Sequence, residues 1–204
     1  MLPEQDTAAR HRLKMQKRKA HQDAEVASKT IEKGLLIVHT GSGKGKSTAA
    51  FGLILRALGH DWRVGVVQFI KGVWDTGERR ALERGFTDQL VWHAMGEGFT
   101  WETQDLERDK AAAEAAWAQA QRLLADPNLS LLVLDEINIA LRYDYLDLEA
   151  VLAVLRARRE GLHVVLTGRN AKPGLIEAAD LVTEMTLVKH PFKSGVKAQA
   201  GIEF

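Results

Sequence analysis

The sequence predicts a three-layer α/β fold: a mostly parallel central sheet between helices, preceded by an N-terminal helical arm. Three observations carry this expectation. After residue 34, short apolar runs alternate with helical segments, the pattern of parallel α/β architecture. The runs are near-continuously apolar, as strands covered on both faces are. The first of them, residues 35–38, opens onto a glycine-rich turn followed by a helix. At 204 residues the chain can bury a sizeable core in one domain.

Residues 1–30 are polar, charged and alanine-rich, and contain no glycine. A helix fits them, but Leu13, Met15 and Val26 are too few to bury a full apolar face. They read as an arm that orders against a ligand or a second subunit, with the main domain at 31–204. Strands are expected at 35–40, 64–70, 90–94, 131–135, 163–167 and 181–186. Between them, a helix at 46–58 ends at Gly59, and a second at 104–125 ends before Pro127. That second helix places Leu106, Ala113, Trp117, Ala120 and Leu124 on one face. Leu148, Val151, Leu152 and Leu155 line a third. Segments 72–85 and 95–103 read as loops at the C-terminal ends of strands, the edge where open α/β sheets bind ligands.

Composition narrows the function. The 28 basic and 27 acidic residues nearly cancel, so no overall field recruits nucleic acid or membrane. A local basic run, Arg10, His11, Arg12, Lys14, Lys17, Arg18 and Lys19, reads as a solvated helix face or arm. There is no cysteine, which excludes disulfides, thiolate zinc sites and thiol catalysis. The histidines lack metal-ligand spacing. No stretch approaches membrane-spanning length and no signal-peptide core opens the chain, so a soluble cytoplasmic protein is expected.

The turn after the first strand reads Thr40-Gly41-Ser42-Gly43-Lys44-Gly45-Lys46-Ser47-Thr48. This is how a P-loop is written. Glycines let backbone N–H groups converge on phosphate oxygens, Lys46 adds a charge, and the Ser47 hydroxyl can sit on Mg²⁺. The helix N-terminus behind them adds partial positive charge. Gly41 and Gly45 enclose three residues rather than the usual four, and Thr40 stands where the first glycine would be. The altered spacing points to a nucleotide held unlike that of a typical ATPase. With this motif, the expected class becomes P-loop NTPase-like.

Leu131-Leu132-Val133-Leu134 runs into Asp135 and Glu136. Beside a P-loop, an aspartate there holds Mg²⁺ directly or through water. Glu136 suits a general base, a ribose contact or a metal ligand, and the residues alone do not choose. Phe99 and Trp101 are two apart, so an extended stretch points both rings the same way, towards a ligand or the core. Lys71 and Arg169 end strands at the same edge and suit anion contacts. The tail at 188–199 is basic and glycine-containing, a binding loop or a solvated terminus.

Together these segments resemble the P-loop-type corrinoid adenosyltransferases, which act on cobalamin or cobyrinic acid a,c-diamide. The resemblance rests on the short loop at 41–48, Val66-Val67-Gln68-Phe69-Ile70-Lys71-Gly72 and Gly98-Phe99-Thr100-Trp101-Glu102-Thr103-Gln104. It continues through Val133-Leu134-Asp135-Glu136, Tyr143-Asp144-Tyr145-Leu146, Thr167-Gly168-Arg169 and Gly195-Val196-Lys197-Ala198-Gln199. The one departure is Ser47 in place of the commoner threonine, which keeps the hydroxyl.

The resemblance implies that a Co(I) corrinoid attacks C5′ of ATP, giving a cobalt–carbon bond and releasing triphosphate. ATP would lie reversed, with its ribose end at the chemistry, and the cation would be Mg²⁺ or Mn²⁺. Phe99 and Trp101 would form an apolar wall that excludes the lower axial ligand and eases reduction of cobalt. The resemblance also implies a homodimer, an arm covering an active site, and a reduced-flavin or flavodoxin-like electron donor. Two other readings are a P-loop small-molecule kinase or NTPase, and a nucleotide-gated RNA-binding module using the basic arm. The kinase leaves Phe99 and Trp101 without a purpose, and the near-zero net charge disfavours RNA.

Overall fold

A computed structural model describes residues 4–70, 76–95 and 105–203. Lys71, Phe99 and Trp101 lie outside them. The elements run α1 (Glu4–Ala27), β1 (Leu36–Thr40), α2 (Lys46–Leu58), β2 (Arg63–Gln68), α3 (Gly77–Gly85) and β3 (Leu90–Ala94). They continue with α4 (Leu106–Leu124), β4 (Leu129–Asp135), α5 (Ile137–Arg142) and α6 (Leu148–Arg156). β5 (His163–Thr167), α7 (Pro173–Ala178), β6 (Leu181–Glu184) and a 3₁₀ turn at Pro191–Ser194 complete the chain.

Two compact units result, Met1–Lys33 and Gly34–Phe204. The first is built on α1, whose Leu13 and Val26 are 58% and 62% exposed. A surface pair one turn apart, Lys19 with Asp23, adds tenths of a kcal/mol to such a helix. Among the described residues, no helix is long and apolar enough to cross a membrane.

The second unit is a six-stranded sheet in the order β3-β2-β4-β5-β1-β6, with every neighbouring pair parallel. Alternation along the strands feeds two cores. Leu36 and Val38 of β1 pack with α4, α5, α6 and α7, through residues such as Ala116, Ile137, Leu152 and Leu175. Ile37 faces the other way, onto Phe51, Ile54 and Leu58 of α2 and Leu82 of α3. These are the three layers that the apolar runs predict, in a P-loop NTPase-like fold.

Several boundaries depart from the expectation. β2 ends at Gln68, and Phe69 is buried beyond it, its N–H donating to the Asp135 carbonyl at 3.0 Å. β4 begins at Leu129 and β6 stops at Glu184. Residues 77–85, expected as loop, form α3, started by the Thr76 hydroxyl accepting from the Arg79 N–H. α4 begins at Leu106 rather than 104, with its N-cap Asp105 accepting from the Arg108 N–H at 3.1 Å. Its buried face is Ala113, Ala116, Ala120 and Leu123, while Leu106 is 61% exposed. The small alanines let α4 approach the sheet, which rotates Trp117 and Leu124 to the margin of the core. Gly59 caps α2 with an ordinary right-handed φ of −66°, and Asp61, φ 59°, makes the left-handed turn instead.

Chain order does not follow sheet order between β1 and β2. β5 and β4 lie between them, so the end of β5 separates the phosphate loop from the acidic end of β4. After β6, Met185 turns back on the loop: its N–H donates to the Thr40 carbonyl at 2.9 Å, and its carbonyl accepts from the Gly43 N–H at 2.6 Å. Gly41 has φ 97°, and a Cβ there would stand 2.4 Å from the Met185 carbonyl oxygen. Gly41→Ala should therefore lose roughly 1–3 kcal/mol from backbone strain, with a further loss as residue 185 is displaced, read as a lower urea midpoint.

Burial lowers the pKa of three imidazoles, His39, His93 and His163, below 6.5. Two of them accept a hydrogen bond that protonation would remove. His163 Nδ1 accepts from the Leu35 N–H at 3.2 Å, and the Gln119 side-chain amide donates to His93 Nε2 at 3.0 Å. The unfolded chain takes up these protons near its ordinary histidine value of about 6.5, and the folded chain does so lower. This stabilisation is complete above that value and is lost as pH falls through it towards the folded pKa values. Urea midpoints should decline from pH 7.5 to 5.5, and imidazole resonances of these three should titrate below 6.5.

Candidate active site

The phosphate loop is held from three sides. Thr40 lies at the buried end of β1, and its hydroxyl accepts from the Ala171 N–H at 2.9 Å, tying the loop after β5 to the phosphate loop. Threonine at that position supplies an acceptor that glycine lacks. Met185 closes the second side. Behind the loop, buried His39 contacts the Lys46 carbonyl through Nδ1 at 3.2 Å. Since a carbonyl only accepts, that nitrogen carries the proton and the neutral ring suffices. Desolvation lowers its pKa against the opposing pull of this bond.

Lys46 opens α2 and is buried, its ammonium donating to the carbonyls of Gly41 at 3.0 Å and Gly43 at 2.5 Å. A polyphosphate entering the loop would compete with those carbonyls for the charge. Gly45 precedes it with φ 105°. Ser47 is half-buried, Ser42 and Thr48 are exposed, and Lys44 forms an ion pair with Glu203 of the C-terminal segment. The expected loop residues 40–48 are thus together at the C-terminal end of β1.

Asp135 ends β4 with no solvent exposure. Its Oδ1 accepts from the Thr167 hydroxyl at 2.7 Å, and its Oδ2 from the Gln68 amide at 3.0 Å. The Thr167 hydroxyl also accepts from the Glu136 N–H at 2.9 Å. Gln68 Oε1 in turn accepts from the Trp92 indole N–H at 2.9 Å. Glu136 has φ 64°, the left-handed region that costs a non-glycine residue about 1–2 kcal/mol, and it is half-buried.

Gly168, φ 131°, follows Thr167. A Cβ there would lie 2.8 Å from the Asn138 Cβ and 3.2 Å from Glu136 Oε2. Only glycine allows β5 to turn so close to the acidic strand. Asn138 bridges the same ends, its amide donating to the carbonyls of His39 at 3.3 Å and Gly168 at 3.0 Å. The Gly168 N–H donates to the His39 carbonyl at 3.2 Å. Arg169 is exposed on the turn that follows.

The sheet therefore brings Thr40 to Thr48, Asp135, Glu136 and Arg169 to one edge. Lys71, Phe99 and Trp101 fall outside the described residues. Four residues at this edge had no role read from sequence: Gln68, Thr167, Asn138 and Met185. Gln68 and Thr167 were visible as polar residues ending apolar strands. Asn138 and Met185 carried no signal, because only packing brings them to the loop.

Comparison with known proteins shows the family. Residues 32–204 match the family described as ATP:corrinoid adenosyltransferase BtuR/CobO/CobP. Residues 2–26 match the cob(I)alamin adenosyltransferase N-terminal family. The chain is 59% identical to the corrinoid adenosyltransferase of Pseudomonas aeruginosa, over 99% of this chain and 98% of that one. It is 57% identical to one from Sinorhizobium, covering 99% and 95%. It is 49% identical to the corrinoid adenosyltransferase CobA of Salmonella typhimurium, covering 96% and 98%. The flagellar accessory protein FlaH of Methanocaldococcus jannaschii has a similar fold, with TM-score 0.50, 11% identity and coverage of 77% and 73%. The chain is an enzyme of the ATP:corrinoid adenosyltransferase family.

Proposed function

We propose that this chain transfers the 5′-deoxyadenosyl group of ATP to the Co(I) centre of a corrinoid, releasing triphosphate. The observation that carries the reading is a phosphate loop on β1 and α2 within a family match over residues 32–204. As C5′ leaves the triphosphate, negative charge grows on the leaving oxygen. Lys46 and Lys44, on exchanging their carbonyl and carboxylate partners for phosphate, are suited to that charge together with the α2 N-terminus. The Gly43 N–H is already taken by Met185, so the cradle differs from one that devotes every loop amide to phosphate. That difference suits the reversed nucleotide that the family resemblance implies.

The donors fit Mg²⁺ or Mn²⁺. Such cations are commonly held by one or two carboxylates together with substrate phosphates. Ser47, Asp135 and Glu136 offer oxygens, and the described residues contain no all-protein cluster of three or more acidic, histidine or cysteine ligands. When bound, the cation neutralises phosphate charge. Glu136 takes the cation or a ribose hydroxyl, and Arg169 the triphosphate. Lys71 is assigned a second anion contact. Phe99 and Trp101 are assigned to the apolar wall that keeps water and a lower axial ligand from cobalt. Family likeness assigns the arm at residues 1–30 to covering an active site, its own or its partner's in a homodimer. A reduced flavin or flavodoxin-like protein supplies the electron, in the cytoplasm.

The test is incubation with ATP, Mg²⁺ and chemically reduced corrinoid. Triphosphate and a light-sensitive cobalt–carbon bond are expected in equal amounts; ADP and phosphate would indicate a kinase or NTPase instead. Lys46→Ala should weaken ATP binding and abolish the product, and near-normal turnover at saturating ATP would contradict its role. Trp101→Ala should suppress the optical signature of four-coordinate Co(II) while sparing ATP affinity. An unchanged spectrum in that variant removes the wall.

A further inference from the structure

At the end of β5, one hydroxyl touches both acidic residues. The Glu136 N–H can only donate, so the Thr167 oxygen must accept from it, and the hydroxyl proton is directed to Asp135 Oδ1. The same logic operates on the other oxygen. An indole N–H only donates, so Trp92 must face Gln68 Oε1, which leaves the Gln68 NH₂ to meet Asp135 Oδ2. Neither neighbour can turn an acceptor towards the carboxylate without breaking its own second bond. Asp135 is thereby gripped on both oxygens.

We propose that Thr167, with Gln68 locked by Trp92, is the positioning device that orients Asp135 and Glu136 towards the metal–triphosphate. It rests on the assignment of Asp135 to the cation made above. Three facts converge on it. Asp135 is wholly buried, so protein groups such as these donors, and not bulk water, meet its carboxylate. Glu136 holds a left-handed backbone that its hydrogen bond to Thr167 stabilises. Thr167 lies on the strand between β1 and β4, so it registers the acidic strand against the phosphate-loop strand, opposite His39. Partners that orient metal-binding groups in this way are commonly worth about 10–100-fold in affinity.

The experiment measures Mn²⁺ binding by electron paramagnetic resonance on the full chain with ATP present and corrinoid absent, alongside urea midpoints. Thr167→Val keeps the shape and removes the hydroxyl. It should weaken Mn²⁺ binding in the ATP complex about 10–100-fold, while ATP affinity measured in EDTA changes less than threefold. Thr167→Ser should restore binding to within about threefold of wild type. Trp92→Phe unlocks the Gln68 amide from a half-buried site, so it tests the device even if Thr167→Val fails to fold; a loss in the same direction is expected. Wild-type Mn²⁺ binding in Trp92→Phe and in folded Thr167→Val, or a Thr167→Ser variant as weak as Thr167→Val, would overturn the proposal. Asp135→Asn separates the two layers. If it binds Mn²⁺ as wild type does, the assignment of Asp135 to the cation fails; if it loses binding while the Thr167 and Trp92 variants do not, only the positioning role fails.

Discussion

The parallel sheet buries Gln68, Asp135 and Thr167 at its strand ends, away from bulk water. Those groups must satisfy one another. At the ends of β2, β4 and β5, Gln68, Asp135 and Thr167 do so, and the requirement dictates which atom of each is donor and which acceptor. The ordering spreads outward through Trp92 on one side and the Glu136 backbone on the other. Remove the enclosure and each of these groups could bond to solvent in several ways. The enclosure turns a set of polar residues into one arrangement.

The phosphate loop is ordered by a different means. Its geometry depends on close backbone approaches, Gly41 against Met185 and Gly168 against Asn138, where no side chain fits. Strand β6 and the residues after it thus belong to the loop as much as β1 does. Lys46 is held inward by loop carbonyls, and Lys44 outward by Glu203. A polyphosphate replaces carbonyl and carboxylate oxygens with its own, which makes recognition an exchange of like partners. The net gain then depends on how many pre-placed donors it meets, since the loop itself is already formed.

Much of this was legible beforehand. The strand centres, the helix at 46–58 and the edge location of the acidic pair follow from apolar runs and glycine punctuation. On α4 the expected Ala113 and Ala120 are buried, but Ala116 and Leu123 take the places expected for Trp117 and Leu124, since the sheet selects small residues that permit close approach. α3 was hidden because its only buried side chain is Leu82, too little periodicity to read. Phe99 and Trp101 drew their meaning from family likeness, and their placement falls outside the described residues.

The chain alone determined that a phosphate loop of unusual spacing precedes an acidic strand, because glycine, lysine and carboxylate at those positions have few other uses. It also determined an arm without a core, because a helix cannot bury apolar residues it lacks. Tertiary structure decided that β5 lies between the loop and the acids, that Thr40 reaches Ala171, and that Met185 takes an amide of the cradle. Such choices are set by strand order and by packing between segments more than a hundred residues apart, which no local pattern encodes.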